Sequence, residues 1–348
     1  ARSDMTAPSG ASATFTITYD GAGAGIDPAS IAAGNVTVTG PGNATLTVTG
    51  ASWDAATNTA TYTFTPPGGS WDDGDSGTYT IGIVANSVKD TAGNAVAAAA
   101  SAKTFQAVYG PIVTDPHIAI SGATGNGGVF KIGDTVTATW DNSAAGDNNS
   151  RTITGVTFDF SPFGGGTAVT GTSDGQGHWT AAYTIVSGSI DNVTNRNVSV
   201  TATDNQSLST TTADGANATV DNSAPVPPAA PVLAAASDSG TSNTDRITNV
   251  VTPTISGTTE ANGVVKVYEG ATLLATTTAD NAGAWSVATS ALSAGSHTLT
   301  AIVTDAAGNT GTVSTGQTIV IDTSAPSYSI ARSDMTAPSG ASATFTIT

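Results

Sequence analysis

"HTLTAIVTDAAGNTG", residues 297–311, decides the fold class. Leu299, Ala301 and Val303 fall on one side of an extended chain, and the threonines fall mostly on the other. A period of two marks a strand with one dry face and one wet face. The alternation stops at Asp305, where residues that reverse a chain take over. The same texture recurs in "ATFTITYD" (13–20), "TVTATWD" (135–141) and "NVSVTATD" (197–204). Helical periodicity is almost absent, so the chain reads as all-β.

The chain has 348 residues, with 26 acidic side chains against 9 basic ones and a net charge of −17. Such a chain repels phosphate and anionic lipid, since affinity for nucleic acid comes from Lys and Arg. No nucleic-acid partner is expected. Nor is membrane insertion, for no apolar run approaches the ~20 residues of a spanning helix. Cysteine is absent, which removes disulfides, thiol nucleophiles and thiolate metal sites. No secretion signal opens the sequence, as expected of a window on a longer chain.

Two near-copies, "DNSAP" at 221–225 and "DTSAP" at 322–326, stand 101 residues apart, each after a strand-like run. The first continues as "VPPAAP" (226–231), a stiff extended linker. A third joint falls near "VYGPIVTDP" (108–116). The expected domains are 1–109, 110–225 and 226–325, with the start of another at 326–348. At about seven short strands each, they fit tandem immunoglobulin-like β-sandwiches arranged end to end. In the third, 250–256, 263–268, 271–278, 284–289, 297–304 and 315–321 take strand positions B to G. In the first, 11–18, 35–39, 44–51, 59–65, 78–85 and 102–108 do so. With strands rising about 3.3 Å per residue, each domain reaches roughly 40 Å.

Residues 1–18 and 331–348 are identical, "ARSDMTAPSGASATFTIT", which sets a period of 330 residues. Two readings stay open. The chain is a window on a continuous array, with neighbouring copies of the repeat as partners. Or 331–348 is a spare segment that completes another molecule and drives self-association.

Antiparallel strands send alternate loops to the same end of a sandwich. In the third domain those loops carry Glu260, Asp280 and Asp305, and the linker brings Asp221 and Asn222. In the second they carry Asp141, Asp147, Asp174 and Asp204, with Asp115 on the linker. The first offers Asp20, Asp54 and Asp90, and its linker would be a preceding copy's equivalent of Asp322. Clustered carboxylates call for positive charge, and Lys and Arg are too few to provide it. Calcium suits such oxygen donors; the lack of Cys and scarcity of His disfavour zinc. The candidate ligands are Asp221, Asn222, Glu260, Asp280, Asp305, Asp115, Asp141, Asp204, Asp20, Asp90 and Asp322. The plainer reading is that Asp and Asn are turn formers. "WDDGDSG" (71–77) could also face the second domain through Asp72, Asp73 or Asp75.

"DTSAP", "GTTEANG" (257–263) and "VTDAAGN" (303–309) resemble the bacterial Ig-like repeats in the extender regions of giant, type I-secreted surface adhesins. The resemblance implies an extracellular, cell-surface setting, adhesion or biofilm formation, and Ca2+ at domain joints. It suggests Asp221, Glu260 and Asp305 as one joint site. The second domain departs from the pattern: it lacks "AGN" after Asp204 and any match to Glu260.

An enzyme is not expected. "GDSG" (74–77) and "GTSDG" (171–175) mimic hydrolase motifs, but the second needs a strand-to-helix turn and both need a positioned His. Only His117, His178 and His297 exist, and His297 stands where the first domain has Tyr79, which suggests a packing and corner role rather than a metal ligand. The leading reading is a stiff structural extender. The alternatives are a self-assembling fibre or surface layer, and a glycan- or protein-binding module.

Overall fold

The structure, a computed structural model, describes residues 11–21 and 23–329; the repeated tail 331–348 lies outside them. The chain divides into two units at Ser223/Ala224. The first unit contains two hydrophobic cores, one ending at Tyr109 and the next beginning at Val113. The second contains one, from Leu233 to Ile321.

The first sandwich runs through β1 (Ala13–Thr18), β2 (Val36–Thr39), β3 (Thr45–Leu46), β4 (Val48–Asp54), β5 (Thr59–Phe64), β6 (Gly77–Ile83) and β7 (Ala99–Ala107). Its sheets are β1-β5-β4 and β3-β2-β6-β7. Alternation places the core directly: in β5, Ala60, Tyr62 and Phe64 are buried and the threonines between them are not.

The second sandwich contains β8 (Ile118–Ser121), β9 (Phe130–Lys131), β10 (Thr135–Asp141), β11 (Ile153–Asp159), β12 (Val169–Thr170), β13 (Thr172–Ser173), β14 (His178–Thr184), β15 (Val193–Arg196), β16 (Ser199–Asp204), β17 (Ser209–Ala213) and β18 (Ala218–Asp221). One sheet is β13-β14-β10-β8; β12-β11-β16-β17 and β15-β18-β9 make up the rest. Its opening segment changes sides: β8 pairs antiparallel with β10, and β9 pairs parallel with β18.

The second unit repeats that plan with β19 (Val232–Leu233), β20 (Ile247–Thr248), β21 (Thr254–Thr258), β22 (Val264–Glu269), β23 (Thr272–Thr278), β24 (Ala284–Ala288), β25 (Gly295–Thr304) and β26 (Gln317–Ile321). Its sheets are β19-β21-β24 and β20-β26-β25-β22-β23. Two expectations need correction. The segment 271–278, read as strand D, pairs instead with β22, because a two-residue turn with Gly270 at φ 54° folds it straight back. The strand expected at 250–256 starts only at Thr254, after Pro253, which has no N–H for a ladder.

The sharpest test of the layered cores is Phe158, fully buried in the second. Phe158→Ala should cost the first unit about 3–5 kcal/mol in chemical unfolding, leaving the second unit's transition in place.

Candidate functional site

Five turns among the described residues share one construction. Asp90, Asp174, Asp204, Asp280 and Asp305 each donate their backbone N–H to the carbonyl four residues on, at 2.9 to 3.1 Å. The residue three positions on is always left-handed: Gly93 (φ 89°), Gly177 (103°), Ser207 (63°), Gly283 (80°) and Gly308 (101°). This is a turn closed by a left-handed residue, and it turns some of its N–H groups inward, off the ladder. The aspartate side chain takes them. Each carboxylate accepts the N–H four residues on, from Asn94, His178, Leu208, Ala284 or Asn309, at 2.8 to 3.1 Å. Each accepts a second N–H inside the turn, from Ala92, Gln176, Gln206, Ala282 or Gly308. Asn94 and Asn309 add their side-chain amides to Asp90 and Asp305.

The joint between the first two sandwiches is closed by protein groups. Arg151 Nη1 lies 3.0 Å from the buried Asp204 Oδ2, and the Arg151 backbone N–H donates to Asp73 Oδ2 at 3.0 Å. Asp73 stands in the "WDDGDSG" loop of the first sandwich, so that loop does reach the second. Asn149 clamps the linker in both directions, accepting from Ile112 N at 2.6 Å and donating to Ile112 O at 2.8 Å. Thr212 Oγ1 donates to Val113 O at 2.6 Å. Asp147 is bound by Thr114, by His117 Nδ1 at 2.8 Å and by Trp140 Nε1 at 2.6 Å. The Arg151 guanidinium meets Asp204, while Asp73 of the first sandwich is bound by the Arg151 backbone N–H.

The other candidates are dispersed. Asp115 accepts from Gly215 N, at the opposite end of β17 from the Asp204 turn. Asp141 accepts from Ser143 N at 2.7 Å, with His178 Nε2 3.6 Å away. Asn222 is buried and tied to its own unit, its side chain accepting from Ile190 N at 2.8 Å. Asp221 is buried and caps Ser223 N, as Asp322 caps Ser324 N in the parallel motif. Asp20 and Asp90 line one cavity of about 220 Å³ with Tyr19, Ile26 and Val96. Glu260 and Asp280 stand on touching loops, joined by Asn262 N to Asp280 O at 3.2 Å.

Charge states follow from these bonds. Burial opposes ionisation of Asp147, but hydrogen bonds from Thr114, His117 and Trp140 outweigh it and hold its carboxyl below the usual range. Asp204 is lowered in the same way, by Leu208 N–H and Arg151 against burial. The Asn94 side-chain amide holds Asp90 down. Asp75 goes the other way. Burial pushes it up to about 6, and the Asp72 and Asp73 charges reinforce this against an N–H bond from Asp72.

No three His, Cys, Asp or Glu side chains among the described residues converge to hold a metal. In the first unit Asp90, Asp115, Asp141, Asp204 and Asp221 all accept backbone N–H groups. The second unit contains one buried carboxylate oxygen with no partner, Asp238 Oδ1, whose other oxygen accepts from Arg246 N at 3.1 Å. A hard cation suits that oxygen. Sequence reading missed Asp238 because it lies in a long Ser- and Thr-rich connection rather than in a hairpin turn.

The hydrolase-like motifs dissolve. Ser76 Oγ accepts from Tyr109 N, and Ser173 Oγ accepts from Gly175 N. At His117 both Thr114 and Asp147 meet the same ring nitrogen, so no relay from hydroxyl through imidazole to carboxylate forms. His297 Nε2 donates to Ser293 O at 2.8 Å, as Tyr79 Oη donates to Asp75 O at 2.7 Å. Each ties its strand to the carbonyl four residues back, which is the corner role expected of His297.

Two sheets face to face, a corner residue and a first strand that changes sheets define immunoglobulin-like β-sandwiches, here strung along one chain. Residues 225–323 match the model of the bacterial Ig-like domain family. Among solved structures, the chain is similar to a Ca2+-stabilized adhesin of an Antarctic bacterium, at 20% identity over 91% of this chain and 71% of that one (TM-score 0.33). It is similar to a 1.5-MDa bacterial ice-binding adhesin at 18% identity, over 90% of each chain (TM-score 0.30). It is also similar to fibronectin(III)-like modules of Clostridium thermocellum CbhA at 15%, over 59% of this chain and 93% of that one (TM-score 0.28). No curated protein matches it. No helix among the described residues is long and apolar enough to cross a membrane.

Two predictions test these loops. Asp305→Ala strands two N–H groups and should cost the third domain about 2 kcal/mol, whereas Asp305→Asn keeps an acceptor and should cost less than half as much. Fluorescence of Trp285, the second unit's only tryptophan, follows both. The second concerns pH. Asp75, raised in the folded state, makes the first unit more stable as pH falls from above 6 towards 4. Asp147 and Asp204, lowered, withdraw their stabilisation only at pH below about 4. The first unit's melting temperature should therefore rise from pH 7.5 to 5 and drop in stronger acid; Asp75→Asn should flatten the rise alone.

Proposed function

We propose that this chain is a segment of the extender of a large, repetitive bacterial surface adhesin, acting outside the cell to supply reach and stiffness. The observation that carries this reading is the first joint. There Asp73, Arg151, Asp204 and Asn149 fasten two sandwiches and their linker through direct bonds. Such a joint resists bending without any ligand. The loop ends that would have to supply a recognition surface are instead held by their own carboxylates. The verbatim repeat of 1–18 at 331–348 supports the same reading, since near-identical copies build length.

Calcium enters this reading at the third domain, where oxygen donors remain for it. Asp238 Oδ1 is buried without a partner. There the ion would neutralise a buried carboxylate and brace the connection that leads to β20. The first joint would stand without it.

Calorimetry and X-ray scattering of the whole chain test both parts. EDTA should lower the second unit's melting transition and leave the first unit's unchanged, and Asp238→Asn should blunt the response. Scattering should give an elongated particle that becomes more flexible in Asp73→Ala. A compact particle, or specific binding to a glycan array through the loop ends, would overturn the extender reading. Transitions indifferent to EDTA would remove calcium from it.

A further inference from the structure

A pull along a tandem chain enters each domain through its first strands and leaves through its last. The pairing of those strands therefore decides what the domain resists. In the third sandwich, β20 is the first strand of the five-stranded sheet and β26 is the last, and they lie side by side. They run parallel, with Ile247 opposite Val320 and Thr248 opposite Ile321. Val320 N–H donates to Arg246 O at 2.9 Å, and Asp322 N–H donates to Thr248 O at 2.8 Å. Thr248, Ile319 and Ile321 are buried.

The sense of this pairing matters. In a parallel pair, the start of one strand and the end of the other lie at opposite ends of the ladder. A pull on those two ends slides the strands lengthwise, and every bond between them carries load at once. If the first and last strands were antiparallel, the loaded ends would lie side by side. The bonds would then open one after another.

The second sandwich is built in the same way. Its β9 lies parallel to its last strand, β18, with Phe130 opposite Val220 and Lys131 opposite Asp221. In both sandwiches the strand ahead of this pair lies in the other sheet and runs antiparallel to its partner, β8 on β10 and β19 on β21. The lead-in to the third domain is seated as well. Pro225, Pro228 and Pro231 are buried, whereas Val226, Pro227 and Ala229 are exposed, the three-residue period of a polyproline helix. Its bonds are sparse: Ala229 N–H to Thr258 O at 3.4 Å, two residue pairs between β19 and β21, and Ala234 N–H to Thr254 O at 2.9 Å.

We propose that these two sandwiches bear tension, and that the parallel pair of first and last strands is the clamp that sets the force each withstands. Under load the sparsely bonded lead-in of the third domain yields first, and the pull then falls on β20 and β26. Their bonds hold together and break together, so the sandwich opens in one step. Load bearing goes beyond the reach and stiffness of an extender and does not depend on that reading.

Single-molecule pulling of the whole chain by its two ends tests the proposal. Val320→Pro removes one clamp donor and Asp322→Pro removes the other; the second change lies just past the end of β26, where proline is tolerated. Each should lower one of the chain's unfolding forces to about half, since forced unfolding follows the unfolding rate rather than equilibrium stability. Asp322→Ala keeps the N–H and should leave that force where it was. Leu274→Ala opens the same core from β23, at the far edge of the sheet. It should lower the second unit's melting temperature further than Asp322→Pro does, yet leave the force close to that of the unaltered chain. Equal forces in Asp322→Ala and Asp322→Pro would overturn the proposal. So would a force that simply tracks the melting temperature across all four variants.

Discussion

An aspartate that folds back onto its own turn is the interaction on which the loop ends of this protein depend. A tight turn with a left-handed third residue reverses a strand in few residues, but it points N–H groups inward where no ladder reaches them. A carboxylate at the first position meets two of them at once with charge-assisted bonds, stronger than neutral ones. Glycine usually fills the left-handed position because it has no Cβ to clash there. Ser207 is the exception, held at φ 63° by the same ring of bonds around Asp204.

This local use of charge explains how a chain with a net charge of −17 packs so many carboxylates at its loop ends. Each of these aspartates is matched to N–H dipoles within four residues, so the repulsion between loops is offset turn by turn. Only where a carboxylate is fully desolvated does a cation appear, as Arg151 does against Asp204. The backbone N–H of the same residue holds Asp73 of the first sandwich, so turn chemistry and the joint meet at one position.

Much of the fold was legible because alternation is local. "TATYTF" states which of its residues are buried before any neighbour is known. The sheet assignment of 271–278 was missed because the two-residue turn at Gly270–Ala271 was passed over, although such a turn dictates the partner of the strand. The loop aspartates were visible as a set, and turn formation was the plainer of their two readings; the backbone they serve is itself local. What sequence does not display is who meets whom across a joint. Asp73 and Arg151 are 78 residues apart. Asp238 was hidden because a buried, unpartnered oxygen is a fact of packing and leaves no spacing pattern behind.

The central claim is that these carboxylates hold backbone N–H groups in place rather than a cation. Amide hydrogen exchange in EDTA tests it most directly, at Asn94, Leu208, Ala284 and Asn309. The account predicts that these four amides stay as protected without calcium as with it, and lose protection one at a time when the aspartate of that turn becomes alanine. Amides that exchange freely in EDTA and regain protection with calcium would contradict it.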